Sequence, residues 1–560
     1  MAHPVFMADS RTTPYFHGPF FAESFPMSRL TRLLPLALFL VSGLAAAQED
    51  DPPERVARLS YVQGEVSLAP EGTEDWTAAS LNRPLTTGDQ IWVDRESRAE
   101  LQTGEASIHL DQSTQLSFID LNDNNLRISL TDGTINLRLN SLDRNEVVEV
   151  ETPNATVSLA RAGEYRIAIE DDSHATSVGV RSGETDITHD QQTFGLQSGQ
   201  QGRFSGTSYL TADVHSIDPR DDFEAWADDR NRRDERSVSS QYVSPEVVGY
   251  EDLDDYGSWS SEPDYGYVWY PRTVSLGWSP YRFGHWAWVA PWGWTWIDRA
   301  PWGFAPFHYG RWAYLRSRWC WVPGPRHLRP VYAPALVAWV GRGTNVGWFP
   351  LGPREVYVPR HRASERYVQR VNSSNTTIVN NTDITNVYRN RGAHVRYINQ
   401  RAPGAVTAVP QQTFRSARPV ENHAIRVNER EASAWRPSAE APAITPTRES
   451  LTDRDRREAV GVRPPSHVVE RNTAIRQQRL LRREVPVSRP AAEMQNRVLQ
   501  DRLREQRREA ERVERTRPVP AEIKRQAPPE RRMQKPEQPQ PQPRPRPQDE
   551  RWKKGDQKMR

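Results

Sequence analysis

The sequence predicts an all-β protein: an N-terminal β-roll, sandwich or solenoid-like domain, then a small aromatic-rich β module, then a disordered, partly helical basic tail. Three observations predict it. Apolar residues alternate with polar ones, strand after strand, over residues 55–217. Fourteen of the nineteen tryptophans fall between Trp259 and Trp348. Beyond about Arg436 apolar residues thin out and Arg, Pro, Glu and Gln take over.

Bulk composition agrees with a chain that is only partly globular. Its 560 residues allow three or four domains. Only 36% are hydrophobic, 45 are proline, and mean hydropathy is -0.78. Globular chains run nearer ~45–50% apolar. The net charge of +2 hides an acidic front and a basic back, the pattern of an interaction tail. All five lysines (Lys524, Lys535, Lys553, Lys554 and Lys558) lie in that tail. Phosphate-loop, Schiff-base and Ser–Lys chemistry in the folded part is thereby excluded.

The N-terminus carries an export signal. Arg29 and Arg32 precede the apolar run Leu33 to Val41, and small residues close it at Ala45 and Ala47. This three-part layout predicts cleavage after Ala47 and a functional start at Met27. Residues 1–26 then read as a misassigned extension, with the signal at 27–47. The apolar run is short of the ~20 residues a spanning helix needs, and no later stretch reaches that length. The expected location is the periplasm or the outer cell surface.

In the first domain, 55–217, the alternating sets include Ile108 and Leu110; Leu126, Ile128 and Leu130; Ile135, Leu137 and Leu139; and Tyr165, Ile167 and Ile169. Turn-formers such as Asp132-Gly133 and Ser182-Gly183 separate them. Eight short pieces stand in a fixed order: Gly64-Glu65-Val66, Thr87-Gly88-Asp89, Ser97 to Leu101, Asp132-Gly133, Thr152 to Val157, Gly163 to Arg166, Ser182-Gly183-Glu184 and Ser198-Gly199-Gln200. Together, over about 150 residues, they resemble the FecR-type periplasmic domain. The resemblance implies an all-β periplasmic domain without catalytic residues. Its best-known members relay an iron-siderophore signal to a sigma factor. They do so through a cytoplasmic segment and a spanning helix ahead of the domain, which this sequence does not repeat, so that role is not carried over.

Residues 218–262 read as an acidic and polar linker, with a short helix over 223–236. Glu251-Asp252-Leu253-Asp254-Asp255 lacks the alternating spacing of a calcium loop and reads as a solvated acidic stretch.

The module spans 263–420, including an Asn/Thr-rich extension. Pro280 to Trp288 repeats as Pro306 to Tyr314, and each copy is followed by a Trp-x-Trp pair: Trp294 with Trp296, then Trp319 with Trp321. The register slips by one residue between copies. Aromatics at alternate positions suit paired strands. They either build the core or stack on a ligand. The candidate stacking residues are Trp286, Trp288, Trp294, Trp296, Trp312, Tyr314, Trp319 and Trp321. The segment resembles the uncharacterised Trp-rich domain that follows FecR-type domains in bacterial envelope proteins, a resemblance that implies no activity. His285, His308 and His327 have uninformative spacing, and Cys320 reads as a buried inert thiol, so no metal or cofactor is expected. Asn375 to Tyr388 reads as one or two strands, and Ala405 to Pro410 with Phe414 as a continuation of the module.

In the tail, 436–560, Met494 to Val513 suggests a marginal helix and Pro536 to Pro547 an extended segment. No catalytic motif stands out, and the paired Asp171-Asp172 reads as a solvated turn. The expectation is an exported, non-enzymatic envelope protein that binds or scaffolds. An envelope protein or an anionic glycan is the expected partner, and export argues against nucleic acid. The alternatives are a glycan- or peptidoglycan-binding module using exposed Trp faces, and a FecR-like signalling adaptor.

Overall fold

The computed structural model describes residues 51–170, 175–275, 277–376, 381–390, 395–453 and 461–483. The export signal, Asp171-Asp172 and the predicted tail helix and Pro-rich end lie outside them. The chain divides into two bodies, residues 1–479 and 480–560. All the sheets, and every element from the first strand to the start of the last described helix, belong to the first body.

The alternating strands form two nine-stranded sheets. Successive strands and hairpins are laid down first in one sheet and then in the other, so both grow in the same direction along the chain. The result is a sandwich with the progression of a solenoid. Pairing is antiparallel throughout, apart from Asn125–Asp132 against Val147–Glu151. Register explains the core. In one sheet Leu101, Ile108, Leu137, Tyr165 and Val180 are successive cross-strand neighbours. In the other, Ile128, Val150, Val157 and Ile187 are. The same alternation sends Glu100, His109 and Asn136 to the outer face as direct neighbours. Gly183 has φ +98°, and a Cβ there would stand 2.1 Å from the Tyr165 hydroxyl, which donates to Arg161 O. That turn requires glycine.

The helix expected over 223–236 is present, but the segment around it is built structure and not a linker. Helix Asp222–Glu235, with Asp221 accepting from Glu224 N at its start, covers the outer face of the first sheet. Arg181 clamps Glu224 through Nε and Nη2, and Arg230 donates to the buried Glu100 at 2.5 Å. Trp226 stands edge-on to His109 at 5.4 Å. The acidic stretch is not solvated either. Asp252 accepts from Arg58 and Arg233, and Asp254 caps the backbone of Val238 and Ser239.

A hairpin that starts in the expected linker, Gly257–Glu262 with Gly266–Pro271, joins the sheet of the second of the module's three further hairpins: Gly284–Val289 with Gly293–Asp298, Arg311–Leu315 with Arg318–Val322, and Val337–Arg342 with Asn345–Pro350. Each of these three sets one tryptophan opposite another: Trp286 and Trp296, Trp312 and Trp321, Trp339 and Trp348. Turn length explains the one-residue slip between repeats. The first hairpin turns through Ala290, Pro291 and Trp292. The second turns through Arg316 and Ser317 alone, both at positive φ, as a tight two-residue turn needs.

Two further expectations fail. The described part of Asn375 to Tyr388 forms no strand: helix Glu365–Ser373 precedes it and helix Asn381–Arg389 occupies its second half. Ile384, Val387 and Tyr388 have helical spacing, which the β-branched, Asn-rich composition masked. Asn372 and Asn375 are buried, satisfying Tyr357 O and Gly310 N. The tail, expected to be disordered and partly helical from 436, does carry a helix, Ser466–Arg483, but packs as far as it is described. Ser438 exchanges two backbone hydrogen bonds with Trp339. Asp453 pairs with His285 and lies 3.7 Å from Arg83. From helix Ser466–Arg483, Val468 packs on Trp76 and Trp92 of the second sheet. Isolated contacts of this kind leave no periodic signature. By contrast, Thr407–Pro410 does extend the module as a strand, and Phe414 is buried in its core.

Sandwich and module meet at Arg58. It lies on the outer face of its strand and is 1% exposed. Its guanidinium donates to Asn82 Oδ1, Asp252 Oδ2 and Pro301 O, and sits over the Phe304 ring. Asn82 donates onward to Asp298 O and Ala300 O. Gly249, at φ +83°, makes room: a Cβ there would meet Arg58 Nη1 at 2.5 Å. Removing one partner of a buried pair strands the other, at a cost of about 3–5 kcal/mol. Arg58→Met is therefore expected to destabilise the chain by about 3–5 kcal/mol and to split one calorimetric unfolding transition into two. An unchanged single transition would contradict this role for Arg58.

Candidate functional site

The eight candidate stacking residues fall into separate environments. Trp286 and Trp296 are core: Trp286 packs within 4.7 to 5.5 Å of Trp339, Trp348, Trp296 and Phe414. Trp296 donates to Asp298. Burial raises the Asp298 carboxyl to about 7. Trp312 and Trp321 are also core, donating to Pro306 O and Tyr309 O. Trp319 is buried and Tyr314 half-buried, paired at 5.2 Å. The five buried indoles among these fill the interior of a module that has few aliphatic residues, whereas Tyr314 keeps partial exposure.

Trp288, half-buried, and Trp294, itself buried, are the candidates that line a cleft. They are cross-strand partners, edge to face at 5.5 Å, at the end of the first hairpin. They line a cavity of about 200 Å3 together with Trp292, Trp339, Arg360 and His361. Trp288 is half-buried and Pro291 at the rim is exposed. Gly293, at φ +90°, turns the chain beneath the Trp288 ring, 3.3 Å from where its Cβ would lie. Trp294 is held by a hydrogen bond to Ile444 O, and Arg360 by one to Ala441 O. Burial lowers His361 to about 4, so it is neutral at pH 7. The cleft is therefore an apolar slot with one cation at its edge. At about 200 Å3 it is smaller than the ~300–1,000 Å3 of small-molecule pockets. It can grip one ring, not enclose an oligosaccharide.

Sequence reasoning missed Trp292, Trp339, Arg360 and His361, which come from a turn, another hairpin and a loop. It also missed the stack of Tyr242 with Trp259 and Tyr267, at 4.6 and 4.7 Å, part of it inside the supposed linker. Period-two spacing of Trp259 and Ser261 before Tyr267 and Trp269 was the available signal.

The histidines do not converge. His285 pairs with Asp453, His308 is buried and donates from Nδ1 to Ala333 O, and His327 is exposed. Among the described residues no three His, Cys, Asp or Glu side chains form a group that could hold a metal. Cys320 is buried on the opposite face of its strand from Trp319 and Trp321, among Val268, Ala313 and Val322. Burial pushes its thiol up to about 12. No helix among the described residues is long and apolar enough to cross a membrane.

Residues 250–355 match DUF6600, a family of unknown function. Two crystal structures, each of a protein from Parabacteroides distasonis provisionally assigned as an anti-sigma factor, show a distant likeness to part of the chain. The first, at 14% identity and a TM-score of 0.22, aligns with 25% of this chain and 64% of its own, so less than two thirds of its length is spanned. The second, at 14% and 0.21, aligns with 33% of this chain and 99% of its own. Comparison with curated proteins gives no match.

The division between core and cleft is testable. Trp286→Ala is expected to cost about 3–5 kcal/mol, the range for a large buried ring. Trp288→Ala is expected to cost under about 1 kcal/mol, as for a surface position. Denaturant unfolding of both variants measures it, and equal losses would refute the assignment.

Proposed function

We propose that this chain is an exported, non-enzymatic protein of the cell envelope that binds or scaffolds. One observation carries the reading: separate chain segments clamp the sandwich and the aromatic module together. Asp51 accepts from Ser364 N, and Glu54 O accepts from Tyr332 N. Arg58 and Asp252 join the two units at the connector. The returning segment ties Asp453 to His285 and Arg83. A body clamped in this way holds its outer surfaces in fixed relation, and preorganisation of that kind lowers the entropic cost of binding. Its partner is an envelope protein or an anionic glycan. Export rests on the charged, apolar and small-residue layout of residues 27–47.

A second reading, glycan binding, is favoured by the Trp288–Trp294 cleft alone. There a half-exposed indole and Arg360 could hold one sugar ring of an envelope polysaccharide.

Mass spectrometry of the protein from fractionated cells tests export. A mature N-terminus at Gln48 in the envelope fraction is expected; an intact 27–47 segment in cytoplasmic protein would overturn it. Tryptophan fluorescence titrated with peptidoglycan fragments separates the readings. No change supports the scaffold, whereas quenching abolished by Trp288→Ala supports glycan binding.

A further inference from the structure

A second, more polar cavity of about 420 Å3 opens where the sandwich, helix Asp222–Glu235 and the connector 245–251 meet. It is within the size range of small-molecule sites, and its rim reaches solvent at Ser141 and Glu235. Asn231, Asp234 and Glu251 line it. Asn231 is 6% exposed, and its Oδ1 accepts no hydrogen bond. Asp234 Oδ1 and Glu251 Oε2 are also withdrawn from solvent and accept none. Three acceptors without donors on one wall are an unusual expense, since each stranded polar group costs about 1–3 kcal/mol.

The nearby cations are already engaged. Arg233 stands 3.8 Å from Asp234 Oδ1 but donates to Asp252 and Asp255. Arg230 is held by Glu100 and Arg58 by Asp252. The other carboxylates of the wall are also paired, Glu105 and Glu246 with Arg329, and Glu235 with Arg138, the guanidinium that lines the cavity itself. Burial, then the neighbouring Glu100, raises Asp234 to about 7; burial, then Asp234, raises Glu251 well above its ordinary value. A cation in the cavity would relieve both.

We propose that this cavity binds an organic cation bearing N–H donors, a guanidinium or a primary ammonium, which donates to Asn231 Oδ1, Asp234 Oδ1 and Glu251 Oε2. An N–H fork supplies the donors that these acceptors lack and the positive charge that the carboxyl pair lacks. The cation is either a free amine or an arginine side chain of a peptide.

Calorimetric titration of the full chain tests this with agmatine, the peptide acetyl-Gly-Arg-Gly-amide and, as the neutral control, N-acetyl-L-citrulline amide, whose amine is blocked (hereafter citrulline amide). Agmatine is expected to bind and citrulline amide not. Binding of the peptide as well assigns the site to a side chain; binding of agmatine alone assigns it to a free amine. Glu251→Gln and Asp234→Asn, which keep shape and remove charge, are each expected to weaken binding at least tenfold. Asn231→Ala, which changes no charge, is expected to weaken it several-fold, and unfolding curves of each variant check that it is folded. The proposal is overturned by absence of heat with both cations, an equal response to citrulline amide, unchanged affinity in the folded variants, or a response to Ca2+ or Mg2+ in place of the organic cations.

Discussion

A guanidinium buried at a seam governs this structure. Arg58 belongs to a strand whose alternation would ordinarily leave it in water. Here the module closes over it, and burial of a cation is tolerable only with full hydrogen bonding. Asn82, Asp252 and the Pro301 carbonyl supply that bonding from three distant places in the chain. Each of those groups is in turn fixed: Asn82 by the carbonyls of Asp298 and Ala300, Asp252 by Arg233, and the connector by the left-handed Gly249. The acidic run at 251–255 is therefore the counterpart of buried arginine, not a solvated spacer.

The aromatic module follows from a second constraint. Its hairpins are short and rich in Gly and Pro, so few side chains must fill the interior. Tryptophan gives the largest buried area per residue, and edge-to-face packing lets rings interlock without voids. Buried indole nitrogens then need acceptors. Backbone carbonyls supply them to Trp269, Trp312, Trp321 and Trp348. The repeat places Arg311 where the first copy has His285. Both became anchors: His285 for Asp453, Arg311 for the carbonyls of Gly310 and Glu355.

Much of this was legible in the sequence, and what was not has a common cause. Strand alternation fixes which of Ile108, Leu137 and Tyr165 face the core, because period two is a local property. The aromatic repeat was readable for the same reason, and its slip at Trp319 recorded a shorter turn. The candidate site was legible in part. Trp288 and Trp294 were among the residues named, but nothing local distinguishes them from Trp286 and Trp296, over which the third hairpin places Trp348. Arg58, Asp252 and Asp453 were opaque because each acts on a residue far off in sequence. The helix at Asn381–Arg389 was hidden by strand-like composition, where tertiary packing of Ile384 outweighs propensity.

The central claim is that sandwich and module form one cooperative body through the Arg58 seam. Native-state hydrogen exchange tests it most directly. If the claim holds, Trp339 N at the returning segment and Tyr332 N on the N-terminal run exchange at the same slow limit as Ile108 N in the sandwich, since all open only on global unfolding. Exchange of the seam amides orders of magnitude faster than that of Ile108 would mean two independent domains in loose contact, and would contradict the account.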